Sequence, residues 1–593
     1  MLHSTLRRWA MLLIALALVS VAAAACAQAP APAAPAAQAP AAATQAPAAA
    51  APTQAPAAAP KATEAPKAAA PTAAAAAPTA AAKAAAPAAG GANTLVVGIG
   101  HDLTTLDPGR GYEIVGGLTH KATYDTLVTL APDDISKIVP SLAEKWDISP
   151  DGKTYTFNLR KGVKFASGNE LTANDVKWSY DRVKGLKGNP SFLFDTIKSV
   201  EAKDPSTVVI TLDNPDPALL AKMTFMAYGV LDSKTVQAQG GVSGADAKDK
   251  DQAQKWLDQN SAGTGPFVLK SWTKEGEIVV EKNPNYWGTA PKLDRVIYKH
   301  LPQTATQKLA LEAGDIDVSV ELNADQAKAL ASNPNVKIVD GTTLNMFFLL
   351  GNRDQAKSPK GVMANPKVMQ AISYAIDYDG FKDLSGGKAV KPRTIVGQGF
   401  LGSWDDSKAP KRDVAKAKQL LADAGYPNGF DIELQYPTKF ARAGLDFDLL
   451  AQKVQADLAE VGIKVTLKPG DLQTELANYR AGNEGFGLWT WGADFPDTND
   501  RLAFLPEGIV GKRANWNNTT ADDTIKKLRD QAAIETDPAK RVAVWNDIQQ
   551  YLTENSPFVA LVQPGRSVAL RKNVQGYTYN DQFLVQPALL SKQ

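Results

Sequence analysis

Cysteine occurs once in the 593 residues, at Cys26, so no disulfide and no two-cysteine metal site can form within one chain. Histidine is almost as scarce. His3, His101, His120 and His300 are scattered, with neither an HExxH motif nor a helical pairing four residues apart. Neither sign of charge is in excess, since 64 Lys and Arg against 62 Asp and Glu leave a formal charge of +2. A nucleic-acid binder needs a basic face, so this balance argues against one. No Gly-x-Ser-x-Gly elbow occurs, and Gly386-Gly387-Lys388-Ala389 has neither the spacing nor the hydroxyl of a phosphate-binding loop. The acidic set Asp494, Asp497 and Asp500 lacks the spacing and bidentate glutamate of an EF-hand loop, which favours a turn with solvated carboxylates over a calcium site.

The N-terminal part contains two segments that cannot belong to a folded core. After Arg7 and Arg8, the apolar run 11–21 is too short to remain a membrane span, and with the small residues Ala22 to Ala25 it reads as a secretory signal covering 1–25. Ala23-Ala24-Ala25 before Cys26 is similar to a bacterial lipobox, in which the thiol is lipidated and becomes the mature N-terminus. Ordinary cleavage near Ala25, leaving a free cysteine, is the alternative, because the third residue before the cysteine is Ala rather than the commoner Leu. The arginine pair leaves export open between the general secretory and twin-arginine routes.

From residue 27 to about 92 the chain is almost entirely Ala, Pro, Thr and Gln, with Lys61, Glu64, Lys67 and Lys83 as its only charges. Recurrent prolines remove amide donors and push their neighbours toward extended backbone, so this stretch reads as a disordered tether. Fully extended it would reach on the order of 200 Å at the polyproline rise per residue. A single acyl chain holds only marginally, so stable anchoring through Cys26 implies multiple acylation.

Beyond Asn93 the residue pattern alternates between strand and helix. Asp151-Gly152 supplies the positive-φ pair of a tight turn, and Tyr155, Phe157 and Leu159 alternate with Thr156, Asn158 and Arg160 as a half-buried strand. Thr172 caps a helix whose first turn carries Asp175 and whose apolar face is Val176, Tyr180 and Val183. Leu95-Val96-Val97 begins a buried strand, and Phe267 and Leu269 with Ile278 and Val280 form a hairpin around Lys274-Glu275-Gly276. Farther on, Asp413 caps a helix carrying Ala417, Leu420, Leu421 and Ala424, with Gly425 placed to end it. Phe430, Ile432, Leu434 and Tyr436 then alternate as a strand. A longer helix follows with Phe447, Leu450, Val454, Leu458 and Val461 in one stripe, ending at Gly462 before the strand Ile463, Val465, Leu467. Repeated units of this kind predict an α/β fold with a largely parallel sheet covered by helices.

The stretch from Leu142 to Tyr180 closely resembles the signature region of the extracytoplasmic solute-binding proteins of family 5, the peptide- and nickel-type receptors of ATP-binding-cassette importers. Later blocks recur in the family's order: Gly263-Thr264-Gly265-Pro266-Phe267, Asn283-Pro284-Asn285-Tyr286-Trp287-Gly288, Gly314-Asp315-Ile316-Asp317, and the segments 368–377, 415–425, 458–465 and 491–497. The resemblance implies the type II periplasmic-binding-protein fold, two α/β lobes joined by two crossing strands near 342–350 and 558–563, with an extra subdomain inserted in lobe I. Lobe I would then comprise 93–127, 256–341 and 564–593, interrupted by the subdomain at 128–255 and by lobe II with the hinge strands at 342–563.

The same resemblance points to binding rather than catalysis, with no cofactor and no resident metal. In peptide-binding relatives the aspartate of the W-x-x-D passage pairs with the ligand's α-ammonium, and the matching residue is Asp494. Trp489 and Trp491 flank the passage at alternate positions, so both face one side of an extended segment, where they could stack on a peptide group or a sugar ring or simply pack in a core. Dipeptide-binding relatives hold the ligand carboxylate with an arginine past the strand equivalent to 430–436; Lys439 and Arg442 are the candidates, though neither aligns with certainty. Trp404 and Trp516 are further aromatic candidates in loops. The expectation is a monomeric, lipid-anchored receptor that passes a ligand to the permease subunits of an importer. Peptide is the leading ligand, followed by oligosaccharide and then a metal chelate such as nickel. An envelope-tethered hydrolase and an adhesin or scaffold are the rivals from other classes. Asn517-Asn518-Thr519 matches a glycosylation sequon, which carries little weight in a bacterial lipoprotein.

Overall fold

The computed structural model describes residues 93–593 apart from 102, 114 and 115, and of Asp406 the backbone alone. The signal segment, Cys26 and the Ala/Pro tether lie outside the described residues.

The hairpin that the residue pattern outlined near 142–160 forms one half of a four-stranded sheet, with the helix that follows packed against it. Ala143–Ile148 and Thr154–Leu159 pair antiparallel, and Gly152 takes φ of 68° in the turn between them. Thr154–Leu159 then pairs with Thr207–Leu212, which pairs with Ile197–Asp204. Tyr155, Phe157 and Leu159 point into a core shared with Val176, Tyr180 and Val183 of the helix Ala173–Leu186. At its N-terminus the Asp175 carboxylate accepts from both the backbone N–H and the hydroxyl of Thr172 at 2.8 Å.

Two larger sheets flank the site. One has seven strands in the order Val336–Thr342, Gly565–Arg571, Val318–Ser319, Thr94–Ile99, Arg295–His300, Glu277–Lys282 and Phe267–Trp272. The other has five, in the order Ile463–Gly470, Phe430–Pro437, Phe486–Trp491, Met346–Gly351 and Phe558–Val562. The expectation of largely parallel sheets needs correction. Parallel pairing is confined to Thr94–Ile99 with its two neighbours and to Phe430–Pro437 with its two neighbours, and the other pairs of both sheets are antiparallel. One physical reason is that the chain leaves the first sheet for the second and later returns, so its outgoing and incoming strands lie side by side in opposite directions. The hairpin 267–282 supplies a further antiparallel pair.

The two crossings are short. Val336–Thr342 passes into Met346–Gly351 through Thr343, Leu344 and Asn345, and Phe558–Val562 passes into Gly565–Arg571 through Gln563 and Pro564. They are bonded to each other: Thr343 Oγ1 donates to the Pro564 carbonyl at 2.8 Å and Gln563 Nε2 to the Thr343 carbonyl at 2.7 Å. A Cβ on Gly397 would meet Gln563 Oε1 at 2.4 Å, so the chain can approach this junction only as glycine.

Each sheet has its own apolar core, and side chains also pass between the halves. Phe495, just past Phe486–Trp491, is buried among the residues of the four-stranded sheet, while Ile135 packs against the tryptophan-rich core of the five-stranded one. No helix among the described residues is long and apolar enough to cross a membrane.

Arg182 ties the helix Ala173–Leu186 to two loops. Its buried guanidinium donates to both carboxylate oxygens of Asp107, at 2.8 and 2.6 Å, and to both of Asp251, at 2.8 and 2.9 Å. Removing it leaves the two buried carboxylates with Arg110 alone, 3.5 Å from Asp107 and 3.1 Å from Asp251, and breaking a buried pair costs about 3–5 kcal/mol in comparable cases. Arg182→Met is therefore expected to lower the urea midpoint by a corresponding amount; a loss below about 1 kcal/mol would show that the two loops do not depend on this residue.

Candidate functional site

The strand Phe486–Trp491 delivers the chain to a tight acidic passage. Asp500 organises it, accepting from the Asp494 backbone N–H at 2.8 Å and from Trp491 Nε1 at 3.2 Å, with Arg501 Nη1 at 3.4 Å. The Asp494 carboxylate is left with one hydrogen bond among the described residues, from the Tyr112 hydroxyl at 2.7 Å. That bond joins the two halves, because Tyr112 precedes the helix Gly116–Thr123 on the side of the seven-stranded sheet. The Tyr112 ring is held edge-on by Phe192 and tilted against Phe225, with centroids 5.9 and 6.0 Å away.

Burial and the neighbouring Asp500 charge push the Asp494 carboxyl well above the usual carboxylate range. Burial likewise raises Asp500, against the pull of Arg501. A carboxylate in this state gains from any cation that reaches it, and the Tyr112 hydroxyl is a neutral donor standing where such a cation would sit.

Beside this passage lies a cavity of about 60 Å³ between the halves, bordered by Gly492 and Ala493 on one side and by Lys121, Tyr124, Phe225, Asn345 and Arg566 on the other. It has room for a few waters or one small ligand group. Asn345 stands on one crossing segment and Arg566 in the strand just past the other; they are 3% and 4% exposed and carry buried polar atoms without partners, Oδ1 of the asparagine and Nε and Nη1 of the arginine. Such unpaired groups cost about 1–3 kcal/mol each when buried, more when charged.

The expected carboxylate-binding residues divide. Arg442 lies in the hairpin Ala441–Arg442 and Leu445–Asp446, half-buried, with burial lowering its pKa and the charges of Glu321, Arg566 and Asp581 acting on it. Its neighbour Phe440 lies tilted against His101 from the opposite half, with ring centroids 5.4 Å apart. Burial also lowers the His101 pKa, which keeps that ring neutral. Lys439 is exposed in a left-handed conformation with φ of 54°, and its backbone N–H donates to Asp448.

The aromatic candidates divide as well. Trp491 adjoins Asp494, with the Arg513 guanidinium 5.6 Å above its ring. Trp489 and Trp516 are 3% and 1% exposed, and Trp489 stacks on Tyr479 at 4.3 Å. Their positions in an apolar strand and beside the core residue Phe558 place them inside the fold. Trp404 is half-buried in a separate depression, donating to Asn546 Oδ1 at 2.8 Å. Tyr112 and Asn345 escaped sequence reading because loop residues carry no periodicity. Arg566 offered a signal, a lone cation immediately after an apolar run and a Pro-Gly pair.

Behind Trp489, whose Nε1 donates to Glu484 Oε2 at 2.6 Å, the other oxygen of Glu484 is buried without a partner. Burial pushes this carboxyl up to about 8 from an ordinary 4.5. Since the folded state holds the proton more tightly than the unfolded chain, stability is lost as pH climbs from about 4.5 through about 8, and is recovered below that window. The neutral variant Glu484→Gln should therefore melt with its parent at acid pH and increasingly above it toward pH ~9. Calorimetry at several pH values checks this, and a parent–variant gap that does not widen with pH would contradict it.

Comparison with known proteins places this geometry. Residues 137–507 match the family described as "Bacterial extracellular solute-binding proteins, family 5 Middle". The chain is 27% identical over 507 residues to the "Probable D,D-dipeptide-binding periplasmic protein DdpA" of Escherichia coli K12, covering 84% of this chain and 93% of that one. Among solved structures, the ABC transporter-associated periplasmic binding protein DppA from Helicobacter pylori, in complex with the peptide STSA, is 28% identical with a TM-score of 0.72, over 84% of this chain and 98% of that one. The binding protein AgaA of A. tumefacien R10, in complex with agropinic acid, is also 28% identical, with a TM-score of 0.70 over 84% and 99% of the two chains. The motifs read from the sequence and the match across its middle agree: the chain belongs to the bacterial extracellular solute-binding proteins of family 5 and has their type II periplasmic-binding-protein fold.

Proposed function

We propose that this protein is a lipid-tethered, monomeric receptor outside the cytoplasm that captures a short peptide between its two lobes and hands it to the permease of an ATP-binding-cassette importer. The lobes are the parts built on the seven-stranded sheet, with the four-stranded subdomain inserted, and on the five-stranded sheet. The observation that carries the reading is the Asp494 carboxylate, set between the lobes with a single hydroxyl donor and a raised pKa. A peptide's ammonium would replace the Tyr112 hydroxyl there and gain a charge-assisted bond in a site with little water. Relatives named for dipeptides, glutathione and a bound peptide support the same ligand class. The cavity beside Asp494 is too small for a whole peptide, so capture requires the crossing segments to open the lobes and ligand contacts with both lobes to close them again. The tether would let the folded part range from its anchor at Cys26 to the transporter. Nothing in this cycle requires turnover, and the protein binds its ligand stoichiometrically.

Asp494→Asn keeps the shape but removes the charge. Truncating one partner of a buried charge pair costs about 2–5 kcal/mol, so dipeptides with a free amine should bind roughly 30-fold or more weakly, while N-acetylated dipeptides, already weak, change little. Isothermal titration decides it, and equal affinity of parent and variant for the free amine would overturn the reading. Because the acceptor must be ionised and its pKa is raised, parent affinity should also fall as pH drops through the acid range.

A further inference from the structure

The acidic residues Asp494, Asp497 and Asp500 are close in sequence and unequal in partners. Asp497 has Arg541, whose Nη2 lies 2.5 Å from its Oδ1. Asp500 has Arg501, the next residue in the short helix Thr498–Phe504, with Nη1 3.4 Å from its Oδ2. Asp494 has the Tyr112 hydroxyl and, among the described residues, no cation within ion-pair distance. Arg501 is also a costly place to keep a cation. It is 0% exposed, 4.6 Å from the Phe400 ring centroid and 5.8 Å from that of Phe504. Its Nη2 donates to the Leu344 carbonyl at 2.7 Å, while Nε and Nη1 have no hydrogen-bond acceptor. Leu344 stands on the first crossing, where Asp581 accepts its N–H at 2.7 Å. One guanidinium therefore touches the hinge with one nitrogen and faces Asp500 with another. A cation buried this deeply is kept when it offsets a buried anion, and the anion is Asp500, whose two oxygens hold the Asp494 N–H and the Trp491 indole.

We propose that Arg501 is a positioning residue of the ligand site: braced on the Leu344 carbonyl, it balances the Asp500 charge, so that Asp500 stays ionised as the anchor of the passage and Asp494 is the one carboxylate left unmatched for a ligand cation. The inference rests on the peptide reading above for the identity of that cation, and adds the residue that sets the charge of the pair. Without Arg501, the two buried carboxyls would be left with Tyr112 from the other lobe and Arg513, at the end of the helix Ile509–Arg513, as the charged and titratable groups acting on them. Arg513 is shared, lying 5.6 Å above the Trp491 ring and 4.5 Å above that of Tyr479. Two carboxyls so placed keep a proton between them, and an incoming ammonium has to expel it. Affinity would then be gained only at higher pH.

The test titrates Ala-Phe calorimetrically, from about pH 5 to about pH 8 where its amine stays largely protonated, into the full-chain parent, Arg501→Gln and the double variant Asp500→Asn/Arg501→Gln. The pH midpoint of the affinity rise should move up by roughly one pH unit or more in Arg501→Gln, as expected on removing an opposite charge at this range. Neutralising Asp500 as well should bring the midpoint of the double variant back toward that of the parent, since the charge that Arg501 offset is then gone. An arginine that only packs would lower affinity by the same factor at every pH; that result, an unmoved midpoint, or no return in the double variant overturns the proposal. Arg501→Met, apolar like the rings around it, replaces the glutamine variant if that does not fold. If Ala-Phe fails to bind the parent at any pH, the peptide reading fails, and the proton on the pair is followed without ligand by the carboxyl stretch in infrared difference spectra, assigned with Asp500→Asn. A protonated-carboxyl band that persists to higher pH in Arg501→Gln than in the parent keeps the charge-balancing role, and coincident titrations remove it.

Discussion

The paired crossing of the backbone between the two large sheets is the constraint on which the rest of the structure depends. Only three residues span one crossing and two the other, and Thr343, Gln563 and Pro564 bond the two together. The Gln563 side chain also clamps Gln398, donating to its carbonyl at 2.8 Å and accepting its N–H at 2.8 Å. With so little slack, relative motion of the lobes has to be absorbed by a few backbone torsions at this junction, which is how hinge closure works in general. Residues on the crossings lie close to both lobes.

Asp494 and Tyr112 form a contact between the two lobes. The acidic passage is prepared for this by Asp500, which takes the backbone N–H of Asp494 and the Trp491 indole and leaves the Asp494 carboxylate free for a partner. Burial raises both carboxyls of this passage, and the Asp500 charge adds to the rise at Asp494. Tyr112 supplies a neutral donor to Asp494. Phe495 crossing into the core of the inserted subdomain adds apolar area to the same closed contact.

Much of the fold was legible in the sequence because local chemistry and tertiary packing agree there. The Asp151-Gly152 hairpin, the Thr172 cap and the strand–helix–strand run from Phe430 to Leu467 fall where turn residues, caps and periodicity put them, and that last unit is indeed parallel. Sheet direction was less legible, since periodicity carries no information on which distant strands become neighbours, and the crossings impose antiparallel pairing that no local pattern announces. Among site residues, the W-x-x-D passage was found through resemblance. Trp489 was left open between ligand and core because an indole in an alternating strand reads the same whichever it faces, and in the fold it packs on Tyr479. Tyr112, Asn345 and Arg566 acquire meaning only from distant partners, or from the lack of any, and that is a property of the folded chain.

The central claim, capture of a short peptide between the lobes, is tested most directly by native mass spectrometry of the purified full chain before and after gentle denaturation. The account predicts a set of co-purified masses that fragment as short peptides with free amino and carboxyl ends. A ladder of hexose masses, or the appearance of cleavage products from added peptides, would contradict it.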